Sequence, residues 1–194
     1  MARPREFDER AVLEAAQGAF RTHGYAGTSL QQLMGATGLG KGSLYAAFGD
    51  KRGLYLRVLG DYAQRSVASV EQALEGPRAI DALREHLLGL ARSSNTGPSC
   101  LLASSTAELA AVDADVGQCV KRAFREIEAS YVGAVTRAQD EGDIDADADP
   151  KALGGLLLAV SRGLEALGHA GVPETSLVQA VEAALAGLPR PPGR

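Results

Sequence analysis

Apolar side chains recur three and four positions apart along most of the chain, which is the spacing of helices that bury one face. Hydrophobic residues make up 45% of the sequence and aromatic residues only 5%, a composition that favours helices over sheets. We therefore predict an all-α protein. Helices are expected at about 8–22, as two short helices within 28–48, and at 51–74, 78–92, 99–112, 150–170 and 174–187, with the longest helix ending near 139.

The stretch TSLQQLMGATGLGKGSLYAAF predicts two short helices joined by a glycine-rich turn. Ser29 is a good N-cap, and Gln32 stands three positions on, where its side chain can return the hydrogen bond of a capping box. The turn at 38–40 ends the first helix, because glycine adopts a left-handed conformation at little cost. In the second helix Leu44 and Phe48 anchor one face, so the polar residues between them are free to meet a DNA major groove.

The charge is divided unevenly along the chain. Residues 1–65 hold nine Lys/Arg and six Asp/Glu, a net charge of +3, whereas 66–194 hold eleven and eighteen, a net charge of −7. The positive excess therefore lies with the helix-turn-helix, as DNA binding requires. Arg3 and Arg5 form a basic arm before the first helix, which is either a disordered terminus or a further contact with DNA phosphates.

The segment FDERAVLEAAQGAFRTHGYAGTSLQQLMGATGLGKGSLYAAFGDKRGLYLRVL resembles the DNA-binding domain of the tetracycline-repressor (TetR) family. Beyond about residue 65 the resemblance rests only on length and helical pattern. It implies a homodimeric, ligand-responsive repressor that binds a palindromic double-stranded DNA operator. By this resemblance the DNA contacts are Thr28, Lys41, Gly42, Ser43, Tyr45, Ala47 and Lys51, with Thr28 and Lys51 at phosphates.

Two departures from the family pattern bear on the operator. Gly40 replaces the hydroxyl residue that often caps the recognition helix, and Ala46-Ala47 replaces a common aromatic-histidine pair. Fewer polar side chains then reach base edges, so contact of Ala47 with thymine methyl groups is expected to carry more of the discrimination.

The chain divides into a DNA-binding domain at 1–50, a linker helix at about 51–74 and a helical ligand-binding and dimerisation domain at 75–194. The last two helices carry a broad Leu/Gly stripe with more apolar surface than the edge of a small monomer needs. We expect them to form a four-helix bundle with a second chain. The expected interface residues are Leu153, Leu156, Leu157, Val160, Leu164, Leu167, Val178, Val181 and Leu185.

A small-molecule effector site is expected among the helices near 78–140, where a few polar side chains interrupt an apolar face. Such a polar minority orients a ligand in many pockets, although the same residues could be a satisfied core. The candidates are His86, Leu87, Leu90, Cys100, Leu101, Ser105, Glu108, Phe124 and Tyr131.

Cys100 offers an alternative means of regulation. It stands near a predicted helix start, where amide dipoles favour a thiolate, so the chain could sense oxidants or electrophiles. The simpler interpretation is a small buried hydrophobe, as free cysteine commonly is. Neither cysteine lies in a disulfide pattern, which is consistent with a reducing cytoplasm.

Other chemistry is disfavoured. The run at 35–41 satisfies most of a phosphate-binding loop, but Gly42 replaces the required hydroxyl and no buried strand precedes it. The acidic run at 143–149 lacks the glycine and the glutamate of a calcium loop. No catalytic constellation is present, so a helical enzyme is the weakest alternative, and we expect no cofactor and no metal.

The start MARPREFDER is charged and leads into no apolar segment of the kind found in signal peptides. The longest unbroken apolar run, 156–160, is much too short to span a bilayer. We therefore expect a cytoplasmic protein without a membrane partner.

Overall fold

The computed structural model describes residues 7–93 and 99–192, and the basic arm with Arg3 and Arg5 lies outside them. Within these ranges the chain forms helices and no strands, so the all-α prediction is confirmed. The helices are α1 (Glu9–Gly27), α2 (Leu30–Thr37), α3 (Lys41–Phe48), α4 (Lys51–Ala73), α5 (Ala79–Ser93), α6 (Leu101–Glu108), α7 (Ala114–Asp140), α8 (Pro150–His169) and α9 (Glu174–Ala186).

The helices group into two compact units, each built from two separate parts of the chain. Unit 1 combines residues 1–65 with 98–121, and unit 2 combines 66–97 with 122–194. Unit 1 therefore holds not only α1 to α3 and the first part of α4, but also α6 and the start of α7.

In unit 1 the predicted helix-turn-helix is present with its predicted caps. Ser29 accepts from the Gln32 N–H, and the Gln32 side chain accepts from the Ser29 N–H, so the capping box is confirmed. Gly38 ends α2 in the left-handed conformation with φ 69°. Leu44 and Phe48 of α3 are buried against the core of this unit, as their spacing predicts. The outer face of α3 is thus free of packing.

Two helix boundaries differ from the sequence-based expectation. The helix expected at 99–112 is only Leu101–Glu108, because the chain after Leu109 leaves it through turns. Asp113 caps the start of α7. Its Oδ1 accepts from the backbone N–H groups of Asp115 and Val116.

Unit 2 is a bundle in which α5 packs on α8 and α9, together with the later part of α7. The predicted start of α8 is confirmed, since Asp149 accepts from the Lys151 N–H and Pro150 occupies the first turn. Gly154 permits the close approach of α8 to α7, because a Cβ there would lie 2.4 Å from a methyl group of Val132. This glycine therefore serves packing within the chain.

Candidate nucleic-acid interface and regulatory sites

The outer face of α3 presents the side chains expected at DNA. Lys41, Gly42 and Ser43 are exposed, and Tyr45 is 39% exposed although it is a large aromatic residue. The Lys41 ammonium lies 5.6 Å from the centroid of the Tyr45 ring, so the two side chains share one face of the helix. Ala47 is half-buried. This face can therefore place a cation, a phenol and a methyl group against a groove.

Lys51, at the first position of α4, lies against an aromatic ring rather than in open solvent. Its Nζ is 4.4 Å from the centroid of the Tyr25 ring. The Tyr25 ring in turn meets the edge of Tyr55 at a centroid distance of 4.8 Å. Tyr25 lies just after the break in α1 at Gly24, where φ is 70°. Lys51, which is predicted to contact a phosphate, therefore lies over the Tyr25 ring, and the sequence did not indicate this position.

Thr28, an expected phosphate contact, is bonded to the end of α1. It is 1% exposed, and its hydroxyl donates to the Gly24 carbonyl oxygen at 2.6 Å. Its backbone N–H donates to the Tyr25 carbonyl oxygen at 3.3 Å. The side chain of Thr28 therefore stabilises the end of α1, and its contact with a phosphate stays a prediction.

Glu108 and Ser105, expected in a ligand pocket, bond to the helix-turn-helix unit. Glu108 Oε2 accepts from the backbone N–H groups of Tyr25 at 2.9 Å and Ala26 at 3.2 Å. Ser105 is buried, and its hydroxyl lies 2.7 Å from the Tyr55 hydroxyl. The exposed Glu108 carboxylate therefore acts as a cap for the helical turn after Gly24.

Arg52 adds a charged contact between α4 and the start of α7 that sequence reasoning missed. Its guanidinium donates to Asp113 at 2.6 and 2.8 Å and to Asp115 at 2.7 Å. The hydrogen bond from Arg52 lowers the pKa of Asp113 to about 2. Residues 61 positions apart meet here, and the sequence contains no signal for that pairing.

Cys100 immediately precedes α6, close to the helix start expected from the sequence. It is 8% exposed, and the Tyr62 hydroxyl lies 3.7 Å from its Sγ, within hydrogen-bonding range for sulfur. The neighbouring Leu101 is buried in unit 1. Burial agrees with the simpler interpretation of Cys100.

The remaining effector candidates lie in unit 2 around a polar pair, the half-buried His86 and the fully buried Tyr131. His86 Nε2 is 2.9 Å from the Tyr131 hydroxyl. Burial, and secondly the charge of Arg162, lower the pKa of His86 to about 4, so its imidazole is neutral near pH 7. Burial also raises the pKa of Tyr131.

An open groove of about 380 Å³ lies beside this pair. Its lining residues are Ser69, Ala73, Glu85, His86, Gly89 and Leu90. The candidate Leu87 is fully buried.

Three polar residues of α8 that the sequence analysis did not select complete this region. Ser161 is buried and interacts with the Tyr131 side chain. Arg162 lies 6.0 Å from the centroid of the Phe124 ring and pairs with Glu165 at 2.7 Å. One carboxylate oxygen of Glu165 is buried, and the ion pair with Arg162 offsets the free-energy cost of burying that charge. Their signal in the sequence was the polar interruption of the Leu/Gly stripe.

The expected dimer residues separate into two groups. Leu157, Leu164 and Val181 are buried within unit 2, so their apolar surface is already covered without a second copy. Leu156 and Leu167 are 47% and 48% exposed on α8. Half-buried positions complete the set: Leu153, Val160, Val178 and Leu185.

The described ranges contain no group of three or more metal-ligating side chains of His, Cys, Asp or Glu. Among the helices of these same ranges, none has the length and apolar character needed to cross a membrane.

Comparison with known proteins bears on both halves of the chain. The family described as bacterial regulatory proteins, tetR family, matches residues 12–58. The family described as tetracyclin repressor-like, C-terminal domain, matches residues 76–183. The two matches together cover the helix-turn-helix and most of the remaining helices.

Among curated relatives, an uncharacterized HTH-type transcriptional regulator of Bacillus subtilis, YezE, is 31% identical over 79% of this chain and 81% of its own length. The Escherichia coli repressor ComR is 29% identical over 91% of this chain and 87% of its own. A solved structure of a cysteine mutant of the regulator CifR, in complex with 26-base-pair operator DNA, has a TM-score of 0.82 and 29% identity. It covers 96% of this chain and 100% of that one.

Proposed function

The chain belongs to the tetR family of bacterial regulatory proteins, and from this membership we propose that it is a repressor released from its operator by a small molecule. The main observation that supports operator binding is the exposed face of α3 with Lys41 and Tyr45. The net charge of +3 on 1–65 supports it, as does the operator complex of the relative CifR.

We propose further that the protein acts as a homodimer through α8 and α9. The exposed Leu156 and Leu167 supply an apolar surface on the solvent side of α8, which a two-fold partner would cover. A two-fold dimer requires a palindromic operator with half-sites about one helical turn apart, or somewhat more.

Operator binding is tested by selecting DNA fragments with the purified protein and sequencing them. Lys51→Ala should then weaken binding to all sequences alike and lower the slope of log affinity against log salt by about 0.9 for each protomer bound, because each loses one phosphate contact. Lys151→Ala, which removes an exposed lysine of α8 in unit 2, is the matched control and should leave that slope unchanged. Ala47→Ser should instead alter which sequences are selected. Failure to enrich any sequence would contradict the proposal.

The effector site is proposed at the groove beside His86, since it joins an open surface to the half-buried His86 and its buried partner Tyr131. A neutral imidazole and a phenol can orient a ligand through hydrogen bonds. A small-molecule screen for operator release tests this. Compounds that release the wild type should act much more weakly on His86→Gln if the site is correct, and equally on both if it is not.

A second candidate function, thiol-based sensing, is favoured by the contact of Tyr62 with Cys100. Addition of the Cys100 thiolate across the double bond of N-ethylmaleimide would enlarge the side chain at the start of α6. Since α6 also carries Ser105 and Glu108, its movement would disturb their bonds to Tyr55 and Tyr25.

The two cysteines provide a matched test of this mechanism, because both are buried and both lie in unit 1. Release of operator by N-ethylmaleimide should persist in Cys119→Ser and disappear in Cys100→Ser. Equal release from the two variants would assign Cys100 to the core and leave the non-covalent effector as the remaining proposal.

A further inference from the structure

Lys51 and Tyr25 form a cation–π contact that the proposed function does not explain by itself. We propose that Tyr25 is a positioning residue, whose ring holds the Lys51 ammonium where an operator phosphate meets the N-terminus of α4. This rests on the proposed operator binding, and it assigns a role in DNA affinity to a residue that need not touch DNA.

The Tyr25 ring is braced on its other sides. Tyr55 meets it edge-on at 4.8 Å and Phe20 stacks at 6.2 Å, and both of these side chains are buried. The backbone is held as well, since the Tyr25 N–H donates to Glu108 and the Tyr25 carbonyl accepts from Thr28. A ring fixed in this way offers a defined surface to a cation.

A lysine side chain is flexible and loses rotamer freedom whenever it is fixed on a ligand. Contact with the ring before DNA arrives restricts that freedom in advance, so less is lost when the phosphate binds. The ammonium remains able to bond a phosphate, because a cation–π contact occupies one side of it and Lys51 is only half-buried.

The comparison with Lys41 and Tyr45 shows what is particular to this pair. There the distance is longer, 5.6 Å, and both residues lie in α3 four positions apart, with an exposed ring. Lys51 instead lies over a ring from a different helix, at 4.4 Å. The position of Lys51 therefore depends on how α1 and α4 pack in unit 1.

The test uses the full-length protein and its selected operator. Tyr25→Phe keeps the aromatic face and should bind nearly as the wild type, whereas Tyr25→Leu should weaken binding roughly two- to fivefold for each protomer bound, the range of an exposed cation–π contact. If the phosphate contact is lost altogether, the slope against log salt should also fall by about 0.9 for each protomer. Replacement of Tyr25 by pentafluorophenylalanine keeps the shape but removes the attraction for a cation, so it should resemble Tyr25→Leu.

Double variants with Lys51→Met decide whether the ring acts through the lysine. In that background the changes at Tyr25 should have no further effect on operator affinity. An equal loss in both backgrounds, or wild-type binding by the pentafluoro protein, would overturn the positioning role while leaving operator binding intact. Unchanged affinity of Lys51→Met alone would overturn it too, and absence of any selected operator would instead contradict the proposed function.

Discussion

The carboxylate of Glu108 and the backbone N–H of Tyr25 are joined by a hydrogen bond of 2.9 Å, although the two residues are 83 positions apart. Together with the bond to Ala26, it attaches the C-terminal end of α6 to the turn that leads into the helix-turn-helix. The geometry is that of a helix cap supplied from a distant part of the chain. Movement of α6 within unit 1 would therefore change the support of α2.

Glu108→Ala should destabilise the protein by about 1–2 kcal/mol, because two backbone N–H groups lose a charged acceptor. The loss is limited to this range because Glu108 is exposed and water can take the place of part of that acceptor. Urea unfolding measures this loss, and operator affinity should fall with it. Glu126→Ala, at an exposed glutamate of α7, is the control and should change neither quantity. Equal stability of the two variants would show that the cap contributes nothing.

Gly24→Ala should destabilise more strongly than its small size suggests. Gly24 has φ 70° and ψ 174°, a conformation that side-chain-bearing residues adopt at a cost of about 1–3 kcal/mol. An added Cβ would also lie 2.4 Å from Glu108 Oε1, so the cap would have to shift.

Gly18→Ala is the matched control for that substitution, with the opposite sign. Gly18 is an exposed helical residue of α1, and a Cβ there meets nothing within 4 Å. Alanine at position 18 should stabilise the protein by about 0.5–1 kcal/mol. Thermal unfolding of both variants checks the pair, and a stabilising Gly24→Ala would refute the strained conformation.

The sequence was sufficient to predict the features that depend on neighbours. The Ser29 and Gln32 cap, the left-handed Gly38 and the start at Asp149 involve residues at most four positions apart. The Glu108, Arg52 and Tyr25 contacts join distant segments, and charge or aromatic character alone does not identify the partner.

The apolar stripe of α8 shows a second limit. Spacing predicts that a helix is amphipathic, but a stripe as broad as this one contains residues that face the chain's own core and residues that face outward. Leu156 and Leu157 are adjacent in sequence, and only the structure separates the exposed one from the buried one.

The dimer prediction follows from that separation. Leu156→Glu should shift the protein towards monomers in sedimentation and weaken operator binding, because a charge would be buried in the interface. Val112→Glu, at a residue that is 81% exposed in unit 1, is the matched control and should leave the oligomeric state unchanged. An intact dimer in Leu156→Glu would remove this surface from the interface.

Leu157→Ala should act on folding rather than on assembly. Its side chain is fully buried in unit 2, and truncation of such a leucine costs about 2–5 kcal/mol through lost burial and the cavity left behind. Unfolding in urea at several protein concentrations distinguishes the two effects, because a loss of folding stability persists when the fraction of dimer changes.

The burial of His86 makes the stability of the fold dependent on pH. Burial lowers the pKa of His86 from 6.5 to about 4, so the unfolded chain takes up a proton at a higher pH than the folded chain does. Stability is therefore complete above pH 6.5 and decreases as the pH falls towards 4. Between about pH 7.5 and pH 5 the loss from this residue should be up to about 2 kcal/mol.

His86→Gln isolates this contribution, because glutamine keeps a polar side chain near Tyr131 and does not titrate. The free energy of unfolding of both proteins is measured in urea across the same pH range, so that the carboxylates they share cancel in the difference. The wild type should lose up to about 2 kcal/mol more than the variant on acidification, and nearly all of the difference should arise below pH 6.5. Parallel curves would mean that the imidazole is protonated equally easily in the folded and the unfolded protein, and that it is not buried against Tyr131 in solution.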